Sequence, residues 1–127
     1  MVPITNDNRR EYFRLSVPAI PGSMTIIEIG QRPITTAPKP VQIRNAGGGG
    51  LAVQAEEDLP IRRGVVAQFT FEIGQQQFSF RGVLVRKLDD LTSYEYGVRF
   101  IDVDEYQRGL LLSALGRLQV ELMKAGR

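Results

Sequence analysis

Apolar and polar positions alternate with a period of two along most of this chain, in short runs interrupted by Gly, Pro, Asn and Asp. That pattern predicts antiparallel strands joined by turns. Strands are expected near residues 13–17, 24–29, 41–45, 50–55, 65–73, 77–87 and 94–101. Val65, Ala67, Phe69, Phe71 and Ile73 share one face of their strand, and Tyr94, Tyr96, Val98 and Phe100 share one face of theirs. Phe78 and Phe80 continue the alternation, but Val83 and Val85 fall out of phase with them, which predicts a bulge at Gly82. The breakers are Pro18, Pro21 and Gly22; residues 30–40 with three prolines; the glycines 47–50; Asp58 to Pro60; Gly74 with the glutamines 75–77; and Asp89-Asp90. Seven short strands at this spacing predict a small barrel or sandwich, since a parallel sheet would need crossover helices between them.

From Val103 the period changes to that of a helix, expected over 103–125 with Tyr106, Leu110, Leu111, Leu115, Leu118 and Leu122 on one stripe. Asp102 is the expected N-cap, Glu105 follows three residues on, and Gly126 lies just past the last turn. Gly109 and Gly116 each cost such a helix about 1 kcal/mol relative to Ala, so both are expected to mark close packing against another backbone.

A length of 127 residues suits one domain with one core, and 43 % hydrophobic with 24 % charged residues is an ordinary globular balance. No run approaches the roughly eighteen apolar residues needed to span a bilayer, and the start has no apolar segment after a basic one. No membrane insertion and a cytoplasmic location are expected. The absence of both Cys and His removes disulfides, thiolate nucleophiles, the commonest metal ligands and the commonest general base. No metal and no catalysis are therefore expected; Asp89-Asp90 and the pair Asp102 and Asp104 read as a turn and a helix start. Residues 1–50 carry +3 and the remainder −1. That asymmetry suits a local anion site better than a DNA-binding stripe, which needs many phosphate contacts.

Arg9, Arg10 and Arg14 lie in a segment that also holds Tyr12 and Phe13. Two arginines four apart are common on any solvated face, but three within six residues repel one another unless an anion sits among them. Guanidinium grips phosphate or the O6/N7 edge of guanine with paired hydrogen bonds and stacks flat on a purine. Some thirty residues later Asn45 opens the glycine run 47–50. A hairpin needs only one or two flexible positions, so four glycines point to a ligand lying close to the backbone. Asn45 can offer its amide to a base edge or cap the turn, and its residue type leaves both open.

These residues resemble the two hallmarks of a PilZ domain, the bacterial receptor module for cyclic di-GMP: Arg-x-x-x-Arg before the first strand and an (Asp/Asn)-x-Ser-x-x-Gly turn. Arg10 and Arg14 match the first; Asn45, Gly47 and Gly50 match the second. The likeness includes Tyr96-Gly97-Val98-Arg99-Phe100 and the closing helix, with residues 30–40 the least similar part. Gly47 departs from it by replacing the motif serine. One missing neutral hydrogen bond, about 0.5–1.5 kcal/mol, should weaken binding roughly threefold to tenfold.

The resemblance implies an all-β fold, a six- or seven-stranded antiparallel barrel over 15–101, with the C-terminal α-helix packed on it and residues 1–14 as an N-terminal arm. Arg10 and Arg14 would hold the phosphates and guanine edges, with Arg9 assisting; Asn45 would bond a base edge; Gly47 and Gly50 would let the backbone approach. No cofactor beyond the ligand is implied. Like charges should keep the arm loose until the nucleotide draws it against the barrel and creates a surface for a partner protein. The leucine stripe over 106–122 leaves a homodimer through the helix open. A degenerate PilZ-like interaction module that no longer binds nucleotide is the alternative that Gly47 keeps alive, and a small barrel binding single-stranded RNA is a second.

Overall fold

The computed structural model describes residues 14–126, Arg14 by its backbone only. Among the described residues seven strands precede one helix: β1 (Arg14–Ile29), β2 (Arg32–Pro33), β3 (Lys39–Gly47), β4 (Gly50–Ala55), β5 (Val65–Ile73), β6 (Gln76–Asp90), β7 (Ser93–Ile101) and α1 (Glu105–Ala125), with a 3-10 turn at Ile61–Arg63. The sheet order is β2-β1-β3-β4-β7-β6-β5, and β1 also pairs with β5. Six strands therefore close into a barrel and the two-residue β2 is appended outside it. Among the described residues closure leaves only that short edge without a neighbour, which removes the usual route to edge-to-edge aggregation.

The strands expected at 13–17 and 24–29 are one strand. Pro18, Pro21 and Gly22 bend β1 instead of ending it. Its register with β3 slips between Ser16 and Ile20, where Pro18 lies, and from Gly22 onward it also pairs with β5. A Cβ at Gly22 would stand 2.9 Å from the Thr70 carbonyl oxygen, so the corner where one strand serves two neighbours needs glycine. Asp89 and Asp90 likewise lie inside β6, and the β6–β7 turn is made by Leu91 and Thr92.

Inward positions of β5 (Val65, Ala67, Phe69, Phe71, Ile73) and β7 (Tyr96, Val98, Phe100) are buried as the alternation predicts. Phe71, Phe78, Phe80 and Phe100 stack through the core, Phe80 and Phe100 with ring centroids 4.5 Å apart. The β6 bulge is not at Gly82. Phe78, Phe80, Gly82 and Leu84 all face inward, and the register shifts between Leu84 and Arg86, so that Val85 and Arg86 both face outward. Gly82 has a different role: a Cβ there would meet Val98 Cγ1 at 2.4 Å, so its absence lets β6 approach β7.

Helix α1 begins two residues later than its hydrophobic pattern suggests. Asp104 is the cap, its carboxylate accepting the Tyr106 N–H at 2.9 Å, whereas Asp102 takes a left-handed φ of 52° and turns the chain out of β7. Leu111, Ala114 and Leu115 are buried in the barrel mouth, with Leu110 and Leu118 beside them. Tyr106 leaves the stripe for solvent, and Val120 and Met123 are exposed in the second half. Among the described residues no helix is long and apolar enough to cross a membrane.

The close packing expected at Gly109 and Gly116 is absent, since a Cβ at either would meet nothing within 4 Å. Only the helix-propensity cost then remains. Gly109→Ala and Gly116→Ala are each expected to raise stability by about 0.5–1 kcal/mol in urea unfolding, without changing the m-value.

Candidate functional site

The hairpin between β3 and β4 does not close in a tight turn. Its last paired residues are Ala46 and Leu51; beyond them Gly47 pairs with Arg14 of β1 and Gly50 with Arg99 of β7. The strands splay, and Gly48 and Gly49 cross the opening. Among the described residues the glycines with positive φ are Gly30, Gly64 and Gly74, none of them in this run. A left-handed turn is therefore not the reason for four successive glycines.

Both carbonyls at the bend are engaged. Gly48 O accepts from Arg108 Nε at 2.9 Å, and Gly49 O accepts from Phe100 N at 2.9 Å. In a trans peptide the C=O and the following N–H point opposite ways. Gly49 N–H is thus turned away from Arg108 on α1, and Gly50 N–H away from Phe100 on β7. Among the described residues neither Gly48 N–H nor Gly49 N–H finds an acceptor. Among the described residues the bend thereby presents donors without partners, the arrangement that backbone anion sites use.

Asn45 sits two residues before the bend, opposite Ser16 on one side and Ala52 on the other. Its Oδ1 is buried and, among the described residues, has no hydrogen-bond partner. An unsatisfied buried acceptor costs about 1–3 kcal/mol, so this oxygen would gain by meeting a donor. The row of paired positions continues from Ala52 to Gly97 and on to Arg86, all on the outer face. A Cβ at Gly97 would lie 3.3 Å from Arg86 Nε, so the Arg86 side chain lies across this glycine. Arg99 is exposed opposite Gly50, and Arg44 Nη1 donates to Gln54 Oε1 at 2.9 Å. Guanidinium groups thus border a row of small residues beside Asn45.

Asn45, Gly47 and Gly50 are brought together at the bend, and the backbone of Arg14 lies directly across from Gly47. Arg9 and Arg10 lie outside the described residues. Arg86, Arg99 and Arg108 are not among the site residues expected from the sequence, although Arg99 lies in the Tyr96–Phe100 stretch that carries part of the resemblance. Arg99 was accessible to it, because Val98 and Phe100 face inward and the residue between them must face out. Arg86 was not, because the bulge at Val85 inverts the phase before it.

The family model for the PilZ domain matches residues 8–117, and the chain belongs to that family. No curated protein matches it. Among solved structures the chain is similar to the inhibitor of motility MotI/DgrA of Bacillus subtilis, with 16 % identity, 89 % of this chain and 52 % of that one covered, and a TM-score of 0.69. It is similar to the PilZ domain of YcgR from Escherichia coli with c-di-GMP, with 21 % identity, 93 % and 97 % coverage and a TM-score of 0.64. It is also similar to YcgR of Escherichia coli in complex with c-di-GMP, with 23 % identity, 94 % and 51 % coverage and a TM-score of 0.66. The chain thus spans about half the length of MotI/DgrA and of that YcgR chain. At these identities the likeness establishes the barrel-plus-helix fold. PilZ domains are ligand-binding regulatory modules and not enzymes.

Proposed function

We propose that this PilZ domain is a receptor for cyclic di-GMP. The observation that carries the reading is the pairing of Arg14 with Gly47, which sets the end of the Arg-x-x-x-Arg segment across from the Asn-x-Gly-x-x-Gly bend. Arg10 and Arg14 hold phosphate and guanine edges, Arg9 assists, and Asn45 takes a guanine N–H on its unsatisfied Oδ1. Gly47 and Gly50 let the backbone come close, and the Gly48 and Gly49 N–H groups, which have no acceptor among the described residues, face the anion. Ordering of residues 1–14 over the nucleotide creates the surface that a partner protein reads, and the exposed second half of α1, with Val120 and Met123, is the face for that partner or for a second copy of the chain. The domain does no chemistry on its ligand, and its place of action is the cytoplasm, where that messenger is found.

Titration calorimetry with cyclic di-GMP tests this. Saturable heat at tens of micromolar or below is expected. Its absence from folded protein favours the second reading, an interaction module that has lost the nucleotide, for which Gly47 in place of serine is the specific observation.

The same substitution supplies a prediction. Gly47→Ser returns one hydroxyl and is expected to tighten binding roughly threefold to tenfold in the same titration. Weaker binding by the serine variant would mean that the motif is aligned in the wrong register.

A further inference from the structure

We infer that Arg108, on the first turn of α1, is a positioning residue for the nucleotide, holding the glycine bend in its binding conformation and coupling its occupancy to the helix. The inference rests on the cyclic di-GMP reading and deepens it. Arg108 Nε donates to Gly48 O at 2.9 Å across 60 residues of sequence, and Arg108 Nη1 donates to Glu105 Oε2 at 2.6 Å. The Arg108 side chain is only 15 % exposed. Phe100 N holds the next carbonyl at 2.9 Å, so the two peptide planes of the bend are each fixed from behind.

That fixation matters because of what the bend is made of. Glycine loses more conformational freedom on ordering than any other residue, so an untethered Gly48-Gly49 would have to be ordered by the ligand itself. Arg108 sets the Gly48–Gly49 plane beforehand and leaves Gly49 N–H pointing away from the helix. Leu111, three residues further along α1, is fully buried in the core. The guanidinium therefore joins the bend to the seated part of the helix, not to a loose surface side chain. Coupling of this kind is reciprocal: if the helix steadies the bend for the ligand, the ligand steadies the helix by the same factor.

The length of the arginine side chain makes a specific test available. Glutamine Nε2 lies the same number of bonds from Cα as arginine Nε, so Arg108→Gln keeps a donor for Gly48 O while removing the charge. Arg108→Met keeps the chain length and removes both. Binding of cyclic di-GMP by wild type, Arg108→Met and Arg108→Gln is compared by calorimetry, and amide hydrogen exchange of wild type is followed with and without the nucleotide. Arg108→Met is expected to lose roughly tenfold in affinity, the strength of one hydrogen bond to a charged donor, and Arg108→Gln to recover most of it. In wild type the nucleotide is expected to slow exchange in the first two turns of α1.

Silence of wild type itself removes the receptor reading, and this inference with it. Normal binding by wild type and Arg108→Met overturns this inference alone. Equal loss in Arg108→Met and Arg108→Gln assigns the effect to the charged end of the side chain and overturns positioning through Gly48 O. Unchanged exchange in α1 on nucleotide binding overturns the coupling whatever the variants do.

Discussion

Arg10→Ala and Arg14→Ala are each expected to weaken cyclic di-GMP binding by tenfold or more while leaving thermal unfolding nearly unchanged. A hydrogen bond from a charged donor contributes about 1.5–3 kcal/mol, and a bidentate guanidinium makes two, which places the loss at roughly tenfold to well over a hundredfold. Arg14 enters the sheet through its backbone, as the partner of Gly47, and alanine makes the same ladder bonds. Calorimetry measures the affinity and a melting curve checks the fold. An arginine variant that binds as tightly as wild type would remove that residue from the site.

Tyr96→Phe is expected to have the largest effect on stability of a change as small as one oxygen, about 2–3 kcal/mol, or roughly 8–15 °C in melting temperature. Tyr96 is fully buried, donates its hydroxyl to the Glu57 carbonyl at 2.6 Å and accepts the Leu59 N–H at 2.8 Å. The phenylalanine ring fills the same space but leaves a buried donor and acceptor unmatched, which is where the cost arises. Lys87 fastens the same loop, pairing with Asp58, donating to Leu59 O at 3.2 Å and lying 4.8 Å above the Tyr94 ring.

This cluster also gives an alkaline limit. Burial pushes the Tyr96 phenol above its ordinary 10.0, and the hydrogen bond to Asp58 holds the Lys87 ammonium above its ordinary 10.5. In both cases the folded protein keeps a proton that the unfolded chain gives up first. The stability they contribute is complete below about pH 10 and is lost as pH rises through the folded values. Tyr96→Phe removes the tyrosine part of that loss, so its alkaline unfolding curve is expected to be shallower.

Those strands whose side chains alternate between core and solvent could be read directly, as residues 65–73 and 94–101 show. Pro18 and Gly22 misled the reading because a closed barrel uses the same residues to bend a strand that an open hairpin uses to end one. Gly82 misled it because an inward glycine counts as neither apolar nor polar in an alternation pattern, and the real slip came three residues later. Asp102 and Asp104 are equally good caps by type, and the choice between them is made by how β7 leaves the barrel. At the candidate site, the motif spacing located Asn45 and the glycine run. The part that could not be read is what holds them: Arg108 and Phe100 reach the bend from distant segments, and no local pattern encodes that contact.

The central claim is the proposal that the bend after Asn45 receives a cyclic dinucleotide on N–H groups that have no acceptor among the described residues. An NMR titration of 15N-labelled protein with cyclic di-GMP tests it most directly. The account predicts that the amides of Gly48 and Gly49 shift most, in parallel with those of Arg14 and Asn45, and saturate together. Saturable binding that leaves the amides of residues 45–50 unmoved would contradict it.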